Sequence, residues 1–218
     1  LSQSSRIIVG VLGVVYLAFL LWYGGSGDPL TPVEREAYLA RLADLAEQRG
    51  EENPEIRDAF EALFSQDDGN EYFMINLMKF REEALYPEGY DYDDDVEAAA
   101  ARYSAGVVPA LIKRGSIPIL VADIEGRFID FEGADEWDQV GIVRYRSRRD
   151  MIEMALELGE RDLGIHKWAS IEKTHVFPAE PMIDFVFVRG AVAALFMVIG
   201  AILVLLIRLI AGRGRNAG

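Results

Sequence analysis

Two long apolar runs without charge stand at the ends of the chain, and the hydrophobic positions between them recur on a shorter scale. Ile7 to Tyr23 is uncharged and closes on Trp22-Tyr23, while Gly190 to Ile207 is uncharged and bracketed by Arg189 and Arg208. At about 1.5 Å per residue the two runs extend roughly 26 and 27 Å, enough to cross the hydrocarbon core of a bilayer. Long arginine stems at the ends of the second run can reach either interface. Both runs are therefore predicted to be membrane-spanning helices. A cleaved signal peptide is the competing reading of the first, but it needs a shorter core and a small-residue cleavage site. Gly25 and Gly27 make a poor site, and Arg6 alone is a thin basic region, so a retained helix is expected.

After the short linker Gly24-Gly-Ser-Gly-Asp28, Thr31-Pro32-Val33-Glu34 carries a helix start: a Thr cap, Pro at the first position, and Glu placed to reach back. That helix is predicted to run to Gln48 or Arg49 and stop at Gly50, with Tyr38, Leu42 and Leu45 on one stripe. Asn53-Pro54-Glu55 starts a second, with Ile56, Phe60, Leu63 and Phe64 on one side. Two short amphipathic helices need something to cover. The run Tyr72-Phe-Met-Ile-Asn-Leu-Met-Lys-Phe80 supplies it, as a strand apolar on both faces. A long helix from Asp94 or Asp95 to Arg114 is expected next, along Val96, Ala100, Tyr103, Val107 and Leu111, with a kink at Pro109. Strands are predicted over Ile117 to Glu125 and Gln139 to Arg146. Ser147-Arg-Arg-Asp150 caps a helix through Leu158, a shorter helix spans Asp162 to Ile171, and a last strand, Thr174 to Phe177, ends at Pro178.

The fold class is therefore α+β, in the order β-α-β-β-α-β of the ferredoxin-like split βαβ arrangement. The chain divides into a first span and linker (1–27), two amphipathic helices (28–70), the α+β domain (71–180), and a second span with a basic tail (181–218). Phe73, Ile75 and Leu77 are expected to meet the helices. Met74, Met78, Phe80, Val143 and Tyr145 are expected on the other face, which two copies would cover by meeting sheet to sheet.

Charge locates the domain. Residues 28–180 hold 17 basic and 35 acidic side chains, a net of −18 against −14 for all 218 residues. Such a surface repels phosphate backbones, so nucleic acid is not expected as a partner. Without cysteine there are no disulfides, thiolate catalysis or Cys-held metal centres. Two spans put both termini on one side of the membrane. Arg6, Arg208, Arg213 and Arg215 flank the terminal ends and Arg189 the inner ends. The expectation is a bacterial inner-membrane protein with cytoplasmic termini and a periplasmic acidic domain.

The segments Met74-Ile-Asn-Leu-Met-Lys-Phe-Arg81, Tyr103-Ser-Ala-Gly-Val-Val-Pro-Ala-Leu-Ile-Lys-Arg-Gly115 and Glu136-Trp-Asp-Gln-Val-Gly-Ile-Val-Arg-Tyr-Arg-Ser-Arg148 resemble the dimeric α/β-barrel superfamily, most of all its small bacterial members of unassigned function. Residues 71–178 carry the resemblance. It implies a ferredoxin-like protomer, a homodimeric barrel, and a cleft between helices and sheet. The superfamily holds cofactor-independent monooxygenases, isomerases, haem-handling enzymes and non-enzymatic members. The flanking spans depart from its usual small soluble member.

Candidate chemistry is sparse. Asp91-x-Asp93-x-Asp95 begins like a calcium loop, but Val96 stands where Gly is needed and Arg102 where Glu is needed, so no metal site is read there. A solvated loop that feeds carboxylates to a helix N-terminus is expected instead. His166, beside Lys167 and Trp168, and His175 are the only histidines; each suits a structural role, proton transfer, or axial haem ligation. Trp137 and Trp168 are expected to pack. The polar groups expected near a pocket are Asn76, Asp123, Tyr145 and His175, with Tyr103 reaching in from the long helix and Met74 and Met78 as apolar wall. Asp123, sharing a strand face with Ile117, Ile119 and Val121, is either at an edge or shifted in pKa. No cofactor is called for. Two functions remain: a non-catalytic membrane-anchored module that binds or assembles a partner, as an accessory subunit of a larger membrane complex, and a cofactor-independent monooxygenase or isomerase acting on a small hydrophobic substrate, with Asn76, Tyr145 and His175 orienting or protonating it.

Overall fold

The computed structural model describes residues 3–49, 54–92, 95–129, 136–182 and 187–215. They fall into two units, one built from the two ends of the chain and the other spanning Gly24–Met182. The expected helix stop at Gly50, the Asn53 helix start, and Asp93 and Asp94 of the acidic loop lie outside the described residues.

In the first unit, α1 (Gln3–Gly24) and α7 (Val188–Arg215) pair. The Tyr16 hydroxyl donates to the Arg189 carbonyl at 3.2 Å, and its ring meets Phe196 edge-on at 6.0 Å. The Arg189 guanidinium lies over the Tyr23 ring at 4.8 Å. Leu12 packs onto Gly200, where an added Cβ would come within 3.2 Å of its side chain. Gln3–Gly24 and Val188–Ile210 are long and apolar enough to cross a membrane. Val14, Leu17, Leu21, Leu195, Met197 and Ile202 stay exposed around the pair, the surface that lipid would solvate.

The second unit is a four-stranded antiparallel sheet under a layer of helices. The elements are α2 (Pro32–Arg49), α3 (Pro54–Ser65), β1 (Tyr72–Phe80), α4 (Val96–Lys113), β2 (Ile117–Asp123), β3 (Gln139–Tyr145), α5 (Arg148–Glu160), α6 (Gly164–Ser170) and β4 (Ile171–Ala179), with the strands in spatial order β2-β3-β1-β4. The caps form where side chains can reach free backbone groups. Glu34 Oε2 accepts from the Thr31 N–H at 2.8 Å, Asp95 Oδ1 from the Ala98 N–H at 3.0 Å, and Ser147 Oγ from the Asp150 N–H at 3.1 Å. The last strand is longer than expected and passes through Pro178. It lies at the sheet edge, where a missing N–H costs no ladder bond if it faces outward. At Gly106 a Cβ would stand 2.4 Å from Leu163 Cδ1, so a larger residue there would require the Leu163 side chain at the start of α6 to move.

The two faces of β1 are the reverse of the expectation. Tyr72 and Met74, with Tyr145 of β3, are buried against Leu63 of α3, Ala110 and Leu111 of α4, and Met154 and Leu158 of α5. Phe73, Ile75 and Leu77 point the other way, beside Ile142 and Val140 of β3 and Phe177 and His175 of β4, and are only partly buried. Period-two alternation sorts residues into two sets, but with both sets apolar it does not say which set the helices cover. Met74, Met78, Phe80, Val143 and Tyr145 thus belong to the covered face.

The run Arg144-Tyr-Arg-Ser-Arg-Arg149 ties the layers together. Arg144, only 1% exposed, donates to Glu71 and, at 2.7 Å, to the Gly115 carbonyl. Arg148 reaches Asp68 at 3.1 Å and covers the Tyr72 ring at 4.8 Å. Arg149 grips both oxygens of Glu34, at 2.5 and 3.1 Å, joining α5 to α2. A basic run in an acidic chain here serves as internal counter-charge.

Candidate functional site

Beyond the packed centre, the covered face of the sheet parts from α4 and α6 and leaves a cavity of about 210 Å³. Alternate residues of β1, Asn76, Met78 and Phe80, form its floor with Gln139, Gly141, Val143 and Tyr145 of β3. Gly141, opposite Asn76, has no side chain to fill the space. From above, α4 contributes Tyr103 and Ser104 and, one helical turn further on, Val107, and α6 contributes Lys167. Exposed Val121 of the edge strand β2 also lines the space, so the cavity reaches solvent there.

The polar groups are few. Asn76 Nδ2 donates to the Met74 and Gly141 carbonyls, at 3.2 and 3.4 Å, which ties the amide to its own sheet. The Tyr145 ring stacks on Tyr72, with centroids 5.6 Å apart. Burial, and secondarily the neighbouring Tyr103, push the Tyr145 phenol well above its ordinary range; burial alone raises Tyr103. Both therefore remain protonated hydrogen-bond donors at neutral pH. Burial acts oppositely on Lys167, holding its ammonium below the usual lysine range.

Asn76, Met78, Tyr103 and Tyr145 meet in this cavity. The other expected positions do not. Met74 is buried in the core alongside it. Asp123 sits exposed at the β2 edge, accepting a 2.9 Å bond from Gln139 Nε2. An irregularity between Pro118 and Leu120 breaks the alternation, so Ile117 and Asp123 fall on opposite faces. His175 pairs with Leu77 on the open face, with Phe177 at 5.1 Å and Trp137 at 6.5 Å; the sheet separates it from Asn76 and Tyr145. His166 accepts or donates at 2.9 Å to the Tyr86 hydroxyl within a Tyr86–Tyr92–Arg102 cluster, and burial, then Arg102, lower its pKa. Trp168, expected to pack, is 54% exposed. Sequence reasoning passed over Lys167 and Gln139. The signal for Lys167 was its place in Gly164-Ile-His-Lys-Trp-Ala-Ser170, as the one long cation of a short, otherwise weakly polar helix.

No family model matches the chain, and no curated protein does. Among solved structures it is similar to the RPA0582 protein of Rhodopseudomonas palustris, described as of unknown function, at 23% identity and a TM-score of 0.52 over 61% of this chain and 96% of that one. The methylated form of RPA0582 matches at 24% identity and a TM-score of 0.51, over 62% of this chain and 95% of that one. At this identity the likeness is one of fold: the α+β unit is shared with a protein whose function is itself unknown.

Proposed function

We propose that this chain is a membrane-anchored, non-catalytic binding module whose α+β domain has the ferredoxin-like fold and docks through the open face of its sheet onto a second copy of itself. The strand order β2-β3-β1-β4 with a helix between β1 and β2 and helices before β4 supports that fold. The observation that carries the docking is the open face: Phe73, Ile75, Leu77, Val140, Ile142 and Phe177 form an apolar surface, while the buried cluster of Tyr72, Met74 and Tyr145 with the helices draws on the opposite one. An apolar sheet face of this extent is stable when another surface removes it from water. The self-complementary pairing of two such faces needs no second gene product. In the bacterial inner membrane the distribution of Arg6, Arg208 and Arg189 favours cytoplasmic termini and a periplasmic domain.

The test is the mass of the full chain in mild detergent by light scattering. A dimer that dissociates in Leu77→Lys, with unchanged far-ultraviolet circular dichroism, is the expected result. A monomer at micromolar concentration overturns the self-docking, and a stoichiometric foreign chain makes the module an accessory subunit of a larger membrane complex.

The second reading, a cofactor-independent monooxygenase or isomerase, is favoured by one observation: a cavity exists with Tyr103, Tyr145 and Asn76 in its wall. His175 is removed from that set by its position on the other face. Oxygen uptake with a dihydroxybenzene probe is the measurement that would move the assignment to this class.

A further inference from the structure

The domain carries 35 acidic residues between positions 28 and 180, yet none of those that the structure describes lines the cavity. Lys167 is the one charged side chain among the described residues that line it. Among the described residues its ammonium has no carboxylate or hydrogen-bond partner; it lies over the Trp168 ring, 5.1 Å from the centroid. Neighbouring α6 residues are engaged elsewhere: His166 with Tyr86, and the Ser170 hydroxyl with the His166 and Lys167 carbonyls at 3.2 and 3.0 Å. The Tyr103 and Tyr145 hydroxyls likewise make no hydrogen bond to a described residue, although both rings wall the same space. Three donors without a hydrogen bond to a described residue thus stand around a chamber whose apolar walls include Met78, Phe80, Val107, Leu111 and Val143, beside the polar Asn76, Ser104, Gln139 and Ser170. An ammonium partly withdrawn from water, with an aromatic face beside it in place of a carboxylate, is costly until a counter-charge arrives.

We infer that the cavity is a binding site for a small hydrophobic carboxylate, an aryl or short alkyl acid, whose anionic head is held by Lys167 with the Tyr103 and Tyr145 hydroxyls as further donors and whose apolar body lies against Met78, Phe80 and Val107. The volume of about 210 Å³ is below the ~300–1,000 Å³ of pockets for larger ligands, which limits the body to roughly one ring or a short chain. The lowered pKa of Lys167 agrees with a cation lacking its partner. Polar selection comes from charge: a carboxylate accepts from all three donors and supplies the counter-charge to Lys167, whereas a neutral amide accepts through its carbonyl alone and brings no charge. This site is on the covered face and is independent of what docks on the open one.

The probes are benzoate and its neutral isostere benzamide, titrated calorimetrically into the full detergent-solubilised chain. Benzoate is expected to bind about tenfold or more tightly than benzamide. Lys167→Met is expected to abolish that preference by weakening benzoate more than benzamide, and Lys167→Arg to retain it. The comparison of acid with amide on the unsubstituted protein needs no variant, so a fold disturbed by Lys167→Met does not remove the test. Equal affinities, a preference that survives Lys167→Met, or no binding of either probe at millimolar concentration would each overturn the inference.

Discussion

The two faces of this sheet are built from almost the same kinds of residue and have opposite fates. On one, Tyr72, Met74 and Tyr145 are buried under α3, α4 and α5. On the other, Phe73, Ile75 and Leu77 keep part of their surface in contact with solvent within the domain. What differs is not hydrophobicity but the side to which the β1-α4-β2 crossover carries its helix, a choice governed by chain handedness. An apolar face that the crossover leaves uncovered is a place for another surface, and an apolar face that it covers incompletely becomes a cavity.

The sharpest way to break this comparison is to truncate one residue on each face. Met74→Ala is expected to lower unfolding stability by about 2–4 kcal/mol, because the helices cannot collapse into the gap. Leu77→Ala should cost under about 1 kcal/mol in the monomer and act instead on self-association. Denaturant titration of both variants over a wide range of protein concentration separates the two effects. Equal losses in the monomer would show that the faces are not energetically distinct.

Arg144 tests the comparison at its exception, since its register places it with the open-face residues while its side chain is wholly buried. Arg144→Met should destabilise by about 3 kcal/mol, leaving Glu71 and the Gly115 carbonyl without their donor. A change below 1 kcal/mol in the same titration would mean that water replaces the guanidinium freely.

The helix layer itself has an acid limit. Glu34 is held at about 2, first by its hydrogen bonds from Arg149 and then by the Thr31 backbone N–H. A depressed carboxylate stabilises the fold fully above its ordinary value of 4.5 and loses that contribution as pH falls toward about 2. Thermal melts of Glu34→Gln should therefore be less pH-dependent than wild type across that window and lower than wild type above it. Parallel curves would show that the ion pair contributes nothing. The smallest effect is expected at Tyr72, whose buried hydroxyl has no hydrogen-bond partner among the described residues. Tyr72→Phe should be neutral or stabilising by up to about 1 kcal/mol, and a clear loss would reveal an acceptor.

Much of the architecture was legible because its signals are local. The Thr31, Asp95 and Ser147 caps mark three helix starts, and each forms from residues within three positions of one another. The β1 limits, Tyr72 and Phe80, coincide with the polar boundaries of the apolar run. The candidate site was legible only in part. Asn76, Met78, Tyr103 and Tyr145 converge, but His175 was grouped with them although Leu77, its partner in the ladder, fixes it on the other side. Lys167 escaped notice because a lysine on a short helix is ordinarily solvated, and only the approach of α6 to the sheet withdraws it.

Sequence by itself determined the two apolar helices, the element order between them, and the acidic character of the domain, because each depends on composition or on spacing within a single segment. Only the tertiary structure decided which face of the sheet the helices cover, that the β2 irregularity sets Ile117 and Asp123 on opposite faces, and which cation is left facing a cavity. Those outcomes depend on how segments far apart in the chain are juxtaposed, and two apolar faces of equal character carry no local mark of which will be covered.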